Sequence, residues 1–305
     1  MSFRTKDFYQ NYKYPTDETF RNINVKENAN IDGNLTVGGD VTHNGTLNMN
    51  GDINMKDNRI YYNNGKVRIG ELSGETGQQN NSIAIGSNTG EDNQGSSNVA
   101  IGYIAGNLNQ GNNSVAIGRN AARDSQGQSS IAIGNAAGLS SQGNGSIAFG
   151  FNAGNITQGA SSVAIGEQTG YNNQGNSSVA IGTNAGFDGQ NSNSVAIGNS
   201  AGSLSQKSNS VAIGTNAGQS NQDFDNVAIG SGAGTIGQID SNIAIGKNAG
   251  NSNQQGLSVA IGLEAGFDTQ EEFCTAIGCQ SGRNNQKRQA IAIGAFSGQI
   301  NQGLD

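Results

Sequence analysis

NSVAIGTNAGQSNQDFDNVAIG, residues 209–230, contains the phrase Val-Ala-Ile-Gly twice, sixteen residues apart. Along the chain the closing glycine of that phrase falls at positions 86, 102, 118, 134, 150, 166, 182, 198, 214, 230, 246, 262, 278 and 294. One further interval towards the N-terminus reaches Gly70 in KVRIG, so there are fifteen units with a worn first copy. Four residues after each of these glycines stands another glycine, except at Ala122. The residue between them that precedes the second glycine is small, Ala in ten copies and Thr or Ser in five. Eight residues after each phrase glycine stands a glutamine, from Gln78 to Gln302, without exception. So short a fixed period, with no insertion, is the mark of a solenoid.

The unit can be built physically. In Val-Ala-Ile the two branched residues share one face of a strand and Ala points to the other. Glycine supplies a tight corner, and a second follows four residues later. The polar half, of the type N-Q-G-N-S, suits turns with a short returning strand. Sixteen residues are too few for a strand, a helix and a strand, so each unit is one small β-coil. Stacked at the inter-strand distance of ~4.8 Å, fifteen coils make a rod on the order of 70 Å long.

The composition fits a thin object. Among 305 residues there are 48 glycines, one proline, one histidine and no tryptophan, and 33% of residues are apolar. A two-layer core of large side chains cannot be built from this inventory. Disorder would explain the polarity and glycine, but not Val and Ile at strict spacing.

The glutamines have a role in that stack. Gln94, Gln110, Gln126, Gln142, Gln158, Gln174, Gln190, Gln206, Gln222, Gln238, Gln254, Gln270, Gln286 and Gln302 recur at one position per coil. Each amide is then able to bond the next at about strand spacing, which predicts a structural ladder at a partly buried corner. The competing reading, a row of ligand-binding amides, would ask for fifteen identical copies of one site. Each coil also offers an apolar set on both faces of its strand. One set fills the coil, and the other faces water unless covered, most economically by self-association around a rotation axis. A homo-oligomer is expected, and which face lies at its axis stays open.

The phrases NSVAIGRNA, SSVAIGEQTG and NSVAIGTNAG resemble the head repeats of trimeric autotransporter adhesins, the YadA-like family. The resemblance covers roughly residues 66–305 and is specific in the Ser-Val-Ala-Ile-Gly phrase. It implies an all-β, left-handed parallel β-roll that forms a homotrimer and stands on a surface as an adhesive rod. A signal peptide, a heptad stalk and a C-terminal β-barrel anchor segment, which complete that family's members, are not read in this sequence. Uniform AIGxxAG arrays also resemble fibre and tail-spike proteins of viruses, large DNA viruses and phages included.

Residues 29–57 carry a second, shorter period. Apolar residues alternate, with Gly33, Gly39, Gly45 and Gly51 at six-residue steps. NLTVGGDVTHNG resembles the triple β-helical shafts of phage and viral fibres. Three regions are therefore expected: an irregular anchor over 1–22, a β-shaft over 23–60 and the 16-residue-repeat roll over 61–305, with Tyr61 and Tyr62 capping the open end of the roll. The first segment holds Phe3, Phe8, Tyr9, Tyr12, Tyr14 and Phe20, six of seventeen aromatics, without any helix or strand period. Aromatic-rich irregular ends dock into partner surfaces, so these six are read as docking to a capsid, baseplate or other particle protein. A disordered start to the chain is the competing reading.

Residues bearing chemistry are few. His43 is the only histidine, on the predicted inward face of the shaft, which leaves no nucleophile–base–acid set for catalysis. Three copies of it near an axis would suit a metal or an anion; a space-filling imidazole is the plainer reading. Cys274 and Cys279 are five residues apart, not a metal-knuckle spacing, and are expected as reduced thiols, compatible with folding in a cytoplasm. No calcium nonapeptide, phosphate loop or threonine ladder for ice is present in the sequence. Neither an enzyme nor a cofactor is expected. The net charge of −7 argues against nucleic acid, and no apolar run reaches a membrane span, so no membrane insertion is expected. Leu139, Tyr171, Phe187 and Phe267, each five residues after a corner glycine, are expected to face solvent. A host glycan or receptor is the remaining partner class. The sequence reading is a fibre on a virion surface, folded in the host cytoplasm. Its alternatives are an extracellular cell-surface adhesin fragment and a monomeric solenoid that binds a ligand on one flat face.

Overall fold

The computed structural model describes residues 65–302. The anchor over 1–22 with its six aromatics, the shaft over 23–60 with His43, and the capping Tyr61 and Tyr62 lie outside the described residues.

The described residues are all-β and contain no α-helix. Fifteen three-residue strands, from Val67–Ile69 to Ile291–Ile293, form one parallel sheet through about fourteen turns of a solenoid. Each strand pairs with its own copy sixteen residues on: Val195 with Val211, Ala196 with Ala212, Ile197 with Ile213. The returning strands, each ending in the repeat glutamine, form a second wall. It runs as a five-stranded sheet from Leu108–Gln110 to Asn172–Gln174 and a six-stranded one from Leu204–Gln206 to Asn284–Gln286. Asp188 bridges the two by pairing with both Asn172 and Leu204.

The corners are ladders as well. Gly198 N donates to Ile181 O at 2.8 Å, Ser200 N to Thr183 O at 2.9 Å, and Gly202 N to Ala217 O at 2.9 Å. Almost the whole circumference of a coil is therefore hydrogen-bonded to its neighbours, which is how so polar a chain satisfies its backbone. The chain closes a coil in sixteen residues by taking five left-handed steps. In one coil these are Gly198, Ser200, Gly202, Ser205 and Asn209, at φ of 128°, 53°, 51°, 55° and 63°. Glycine and asparagine adopt this region at least cost, which accounts for much of the composition. Gly198 is also bound by space, since a Cβ there would lie 2.7 Å from Gly214 O in the next coil.

Alanine fills the interior. Ala196, Ala201, Ala212 and Ala217 belong to one continuous, fully buried stack that runs from Ala180 to Ala276. The reason is thickness: a Cβ placed on Gly202 would stand 3.3 Å from the Ala196 methyl on the opposite wall. That approach leaves room for a methyl on the strand, while Thr89 and Thr169 stand fully buried at the place that Ala105 and Ala201 hold in other coils. Val and Ile lie on the outer side of the strand, and the open question of which apolar set fills the coil resolves in favour of alanine.

Candidate interaction face and the glutamine column

Gln206, at the end of the strand Leu204–Gln206, turns its side chain into the coil and is fully buried. The same holds along the column from Gln94 to Gln286, where exposure never exceeds 3%. The site is buried more deeply than the partly buried corner expected of it. From Gln158 each Nε2 donates to the next Oε1 at 2.9–3.2 Å, through Gln174, Gln190, Gln206, Gln222, Gln238, Gln254 and Gln270 to Gln286. A shorter run joins Gln94, Gln110, Gln126 and Gln142. The second amide hydrogen reaches the first strand, as from Gln206 to Val195 O at 3.0 Å. The column thus ties the two walls together as well as successive coils. Gln94, Gln158 and Gln302 carry side-chain oxygens without a donor; the first two begin the two runs. Gln302 is half-buried, and its amide reaches Ile291 O. A fully buried column offers no surface to a ligand.

A second polar column escaped the sequence reading. Ser or Asn precedes Val-Ala-Ile in most coils, as at Ser82, Asn98, Ser114, Ser194, Ser210 and Asn242, and each is fully buried. Ser210 Oγ donates to Asp223 O at 2.6 Å and accepts from Asn226 N at 3.2 Å, which fastens one coil to the next. The signal was present in the constant first letter of N/S-V-A-I-G. Cys274 occupies this column and is fully buried, with Sγ 2.8 Å from Lys287 O. Burial pushes its thiol pKa up. Cys279 is half-exposed on the other side of the strand, and both thiols are free.

Outside the roll, the Val and Ile of every strand form two parallel columns on one flat face. Val115, Ile117, Val195, Ile197, Val211 and Ile213 are each half-exposed while the alanine between them is buried. At single positions the columns change: Phe149 replaces Ile and Thr275 replaces Val. No other face of the described residues carries an apolar side chain in every coil.

The four variable apolar residues expected in solvent are half-buried instead. Tyr171 and Phe187 stack in successive coils with ring centroids 5.1 Å apart, and Arg283 lies over the Phe267 ring at 5.0 Å. Period sixteen made these neighbours, because residues sixteen apart touch. Asn155 of the sequon Asn155-Ile-Thr is buried, its Nδ2 donating to Ala136 O, so its amide is unavailable to glycosylation. Charges gather in the last coils. Arg283 and Gln280 both bond Glu264 at 3.0 Å, and Lys287 bonds Glu271 at 3.0 Å. Those hydrogen bonds, from Arg283 and Lys287 first, lower the pKa of the two carboxyls. Among the described residues no cluster of His, Cys, Asp and Glu is arranged to hold a metal. No helix among them is long and apolar enough to cross a membrane.

The family model of the YadA head domain repeat matches two stretches of the chain, residues 110–121 and 190–217. Both contain the buried glutamine and the outward Val-Ile pair. No curated protein and no solved structure matches the chain. Fold and matched repeat together define an all-β parallel solenoid with YadA-like, adhesin-like repeats.

Proposed function

We propose that this chain is a non-enzymatic structural and adhesive fibre, a homotrimer in which the Val-Ile faces of three solenoids meet on a common axis. The observation that carries the reading is the outward apolar face, which runs over all fifteen strands with Thr275 as its one polar residue. A strip three residues wide and fifteen strands long covers on the order of 700 Å² per copy, close to the ~800 Å² per partner of a standard-size interface. Soluble monomers rarely leave a contiguous apolar surface of that size bare. The thin alanine interior supports the same reading, since the larger apolar side chains gain burial only between chains.

The fibre projects from a virion surface or tail and is held through residues 1–22, with Phe3, Phe8, Tyr9, Tyr12, Tyr14 and Phe20 as the docking side chains. The polar outer walls, repeated on three chains, present weak contacts that sum through avidity to a host glycan or receptor. The mass of the intact protein in solution tests the core of this reading. Light scattering is expected to give three chains, stable to dilution, and dissociation in an Ile197→Lys, Ile213→Lys double variant. A stable monomer of the unaltered chain would overturn it and favour a solenoid that binds a ligand on its flat face.

A further inference from the structure

Three solenoids meeting through nearly identical coils face a problem of register. Val and Ile recur every sixteen residues, so sliding one chain by one coil would preserve almost every contact of the two apolar columns. Besides Phe149 and Thr275 within the columns, what distinguishes one coil from another on this face is the residue at each end of its strand, two before Val and two after Ile. Rotation about an axis without translation makes a heterologous contact, in which the leading edge of one copy meets the trailing edge of the next. Coil by coil, the two ends of the same strand are then opposite each other.

The ends complement each other at this pairing. Leu257 and Leu263 flank Val259–Ile261, and they are 56% and 44% exposed. Phe273 and Cys279 flank Thr275–Ile277; Phe273 is 42% exposed, with the Arg288 guanidinium 5.5 Å from its ring. Leu257 and Phe273 are the only large apolar residues in the leading-edge column of the described coils, and each has an apolar residue at the other end of its own strand. At Ile147–Phe149 the relation is one of size. Phe151 at the trailing end is 48% exposed, and the leading end is Gly145, a place that glycine holds among the described coils otherwise only at Gly65. A Cβ on Gly145 would find only Ser161 Oγ, 3.8 Å away, so the space beside it is open.

We propose, building on the trimeric reading above, that these three coils are a register lock between copies. Leu257 packs on Leu263 of the next copy, Phe273 packs on Cys279, and Phe151 seats over Gly145. A slip by one coil in one direction keeps an apolar pair, Phe273 on Leu263, but sets Leu257 against Lys247 and Cys279 against Gln289; in the other it sets Leu257 on Cys279 and Phe273 on Ala295 but leaves Leu263 against Ser241. In either, Phe151 meets a serine, Ser161 or Ser129, in place of Gly145, so the full set of three matches exists in one register alone.

Oxidative cross-linking of the full chain tests this. In a Cys274→Ser, Cys279→Ser background, Leu257→Cys is combined with Leu263→Cys. Six residues of extended strand separate the two thiols by roughly 20 Å, too far for a bond within one chain. Mild oxidation is expected to convert most of the protein to covalent trimers on a non-reducing denaturing gel. The offset pair Ser241→Cys with Leu263→Cys is expected to link at least tenfold less. A second variant, Phe273→Cys and Cys274→Ser with the native Cys279, is expected to behave as the first. Trimers by light scattering that fail to link through either in-register pair, or that link through the offset pair equally well, overturn the lock and leave the trimer standing. A monomeric mass overturns the trimer itself.

Discussion

The side-chain amide nitrogen of Gln206 lies 3.1 Å from the side-chain oxygen of Gln222, sixteen residues further on. The same amide reaches Val195 O across the roll at 3.0 Å and Ser210 O at 3.2 Å. One polar side chain therefore joins neighbouring coils and opposite walls, in an interior otherwise lined by alanine methyls and small polar groups. Where the apolar contacts are this small, the buried amide is the largest single tie in each coil.

Gln206→Ala removes that tie in mid-column. It strands Gln222 Oε1 without a donor and leaves Gln190 Nε2 without its sixteen-residue partner. An orphaned buried polar group costs about 1–3 kcal/mol, so a loss of about 3 kcal/mol is expected in denaturant titration. Gln302→Ala, at a half-buried position that no other glutamine bonds, is expected to cost under about 1 kcal/mol. Equal losses at the two positions would show that the column is not cooperative.

The left-handed positions separate by residue type. Gly198→Ala adds backbone strain of about 1–3 kcal/mol to a clash with Gly214 O, and is expected to be among the most damaging single changes in the roll. Ile104 stands at φ 58°, where a β-branched residue is an outlier. Ile104→Asn is expected to raise stability by about 1 kcal/mol. Thermal unfolding of the two variants should move in opposite directions.

The period made the coils, their stacking and the glutamine column legible, because a constant residue every sixteen positions must meet its own copy. The sidedness of Val-Ala-Ile was legible as alternation, but not which side lay within. That choice depends on the separation of the two walls, and sequence spacing says nothing about thickness until Gly202 and Ala196 are seen to touch. The left-handed steps at Ser200, Ser205 and Asn209 were hidden among residue types that suit any turn. The buried serine column was hidden because serine ordinarily marks a surface. Tyr171 and Phe187 were read one at a time along the chain, whereas the fold stacks them.

Cys274 is a serine-column residue that happens to carry sulfur. Its buried thiol contacts Lys287 O much as Ser258 Oγ contacts Glu271 O at 2.7 Å one coil earlier. Cys274→Ser is therefore expected to change stability by less than about 0.5 kcal/mol. With its pKa raised by burial, the thiolate is scarce near neutral pH. Mass spectrometry after maleimide treatment should find Cys274 unlabelled in the native protein and labelled in denaturant. Rapid native labelling would place this column in contact with solvent.

Acid is expected to loosen the last coils first. Glu264, held by Arg283 and Gln280, and Glu271, held by Lys287 and the Arg288 amide, have pKa values below those of the unfolded chain. A carboxyl depressed in this way contributes stability that is full above its unfolded pKa of about 4.3 and is lost as pH falls through the folded value. Both groups face solvent in part, so each contribution is modest and weakens with salt. Hydrogen exchange at several pH values, corrected for intrinsic rates, should show protection around residues 264–288 falling below about pH 4.3 before that of the central coils. Glu264→Gln should flatten the dependence around Arg283. Uniform loss of protection along the rod would instead assign acid sensitivity to charge repulsion over the whole molecule.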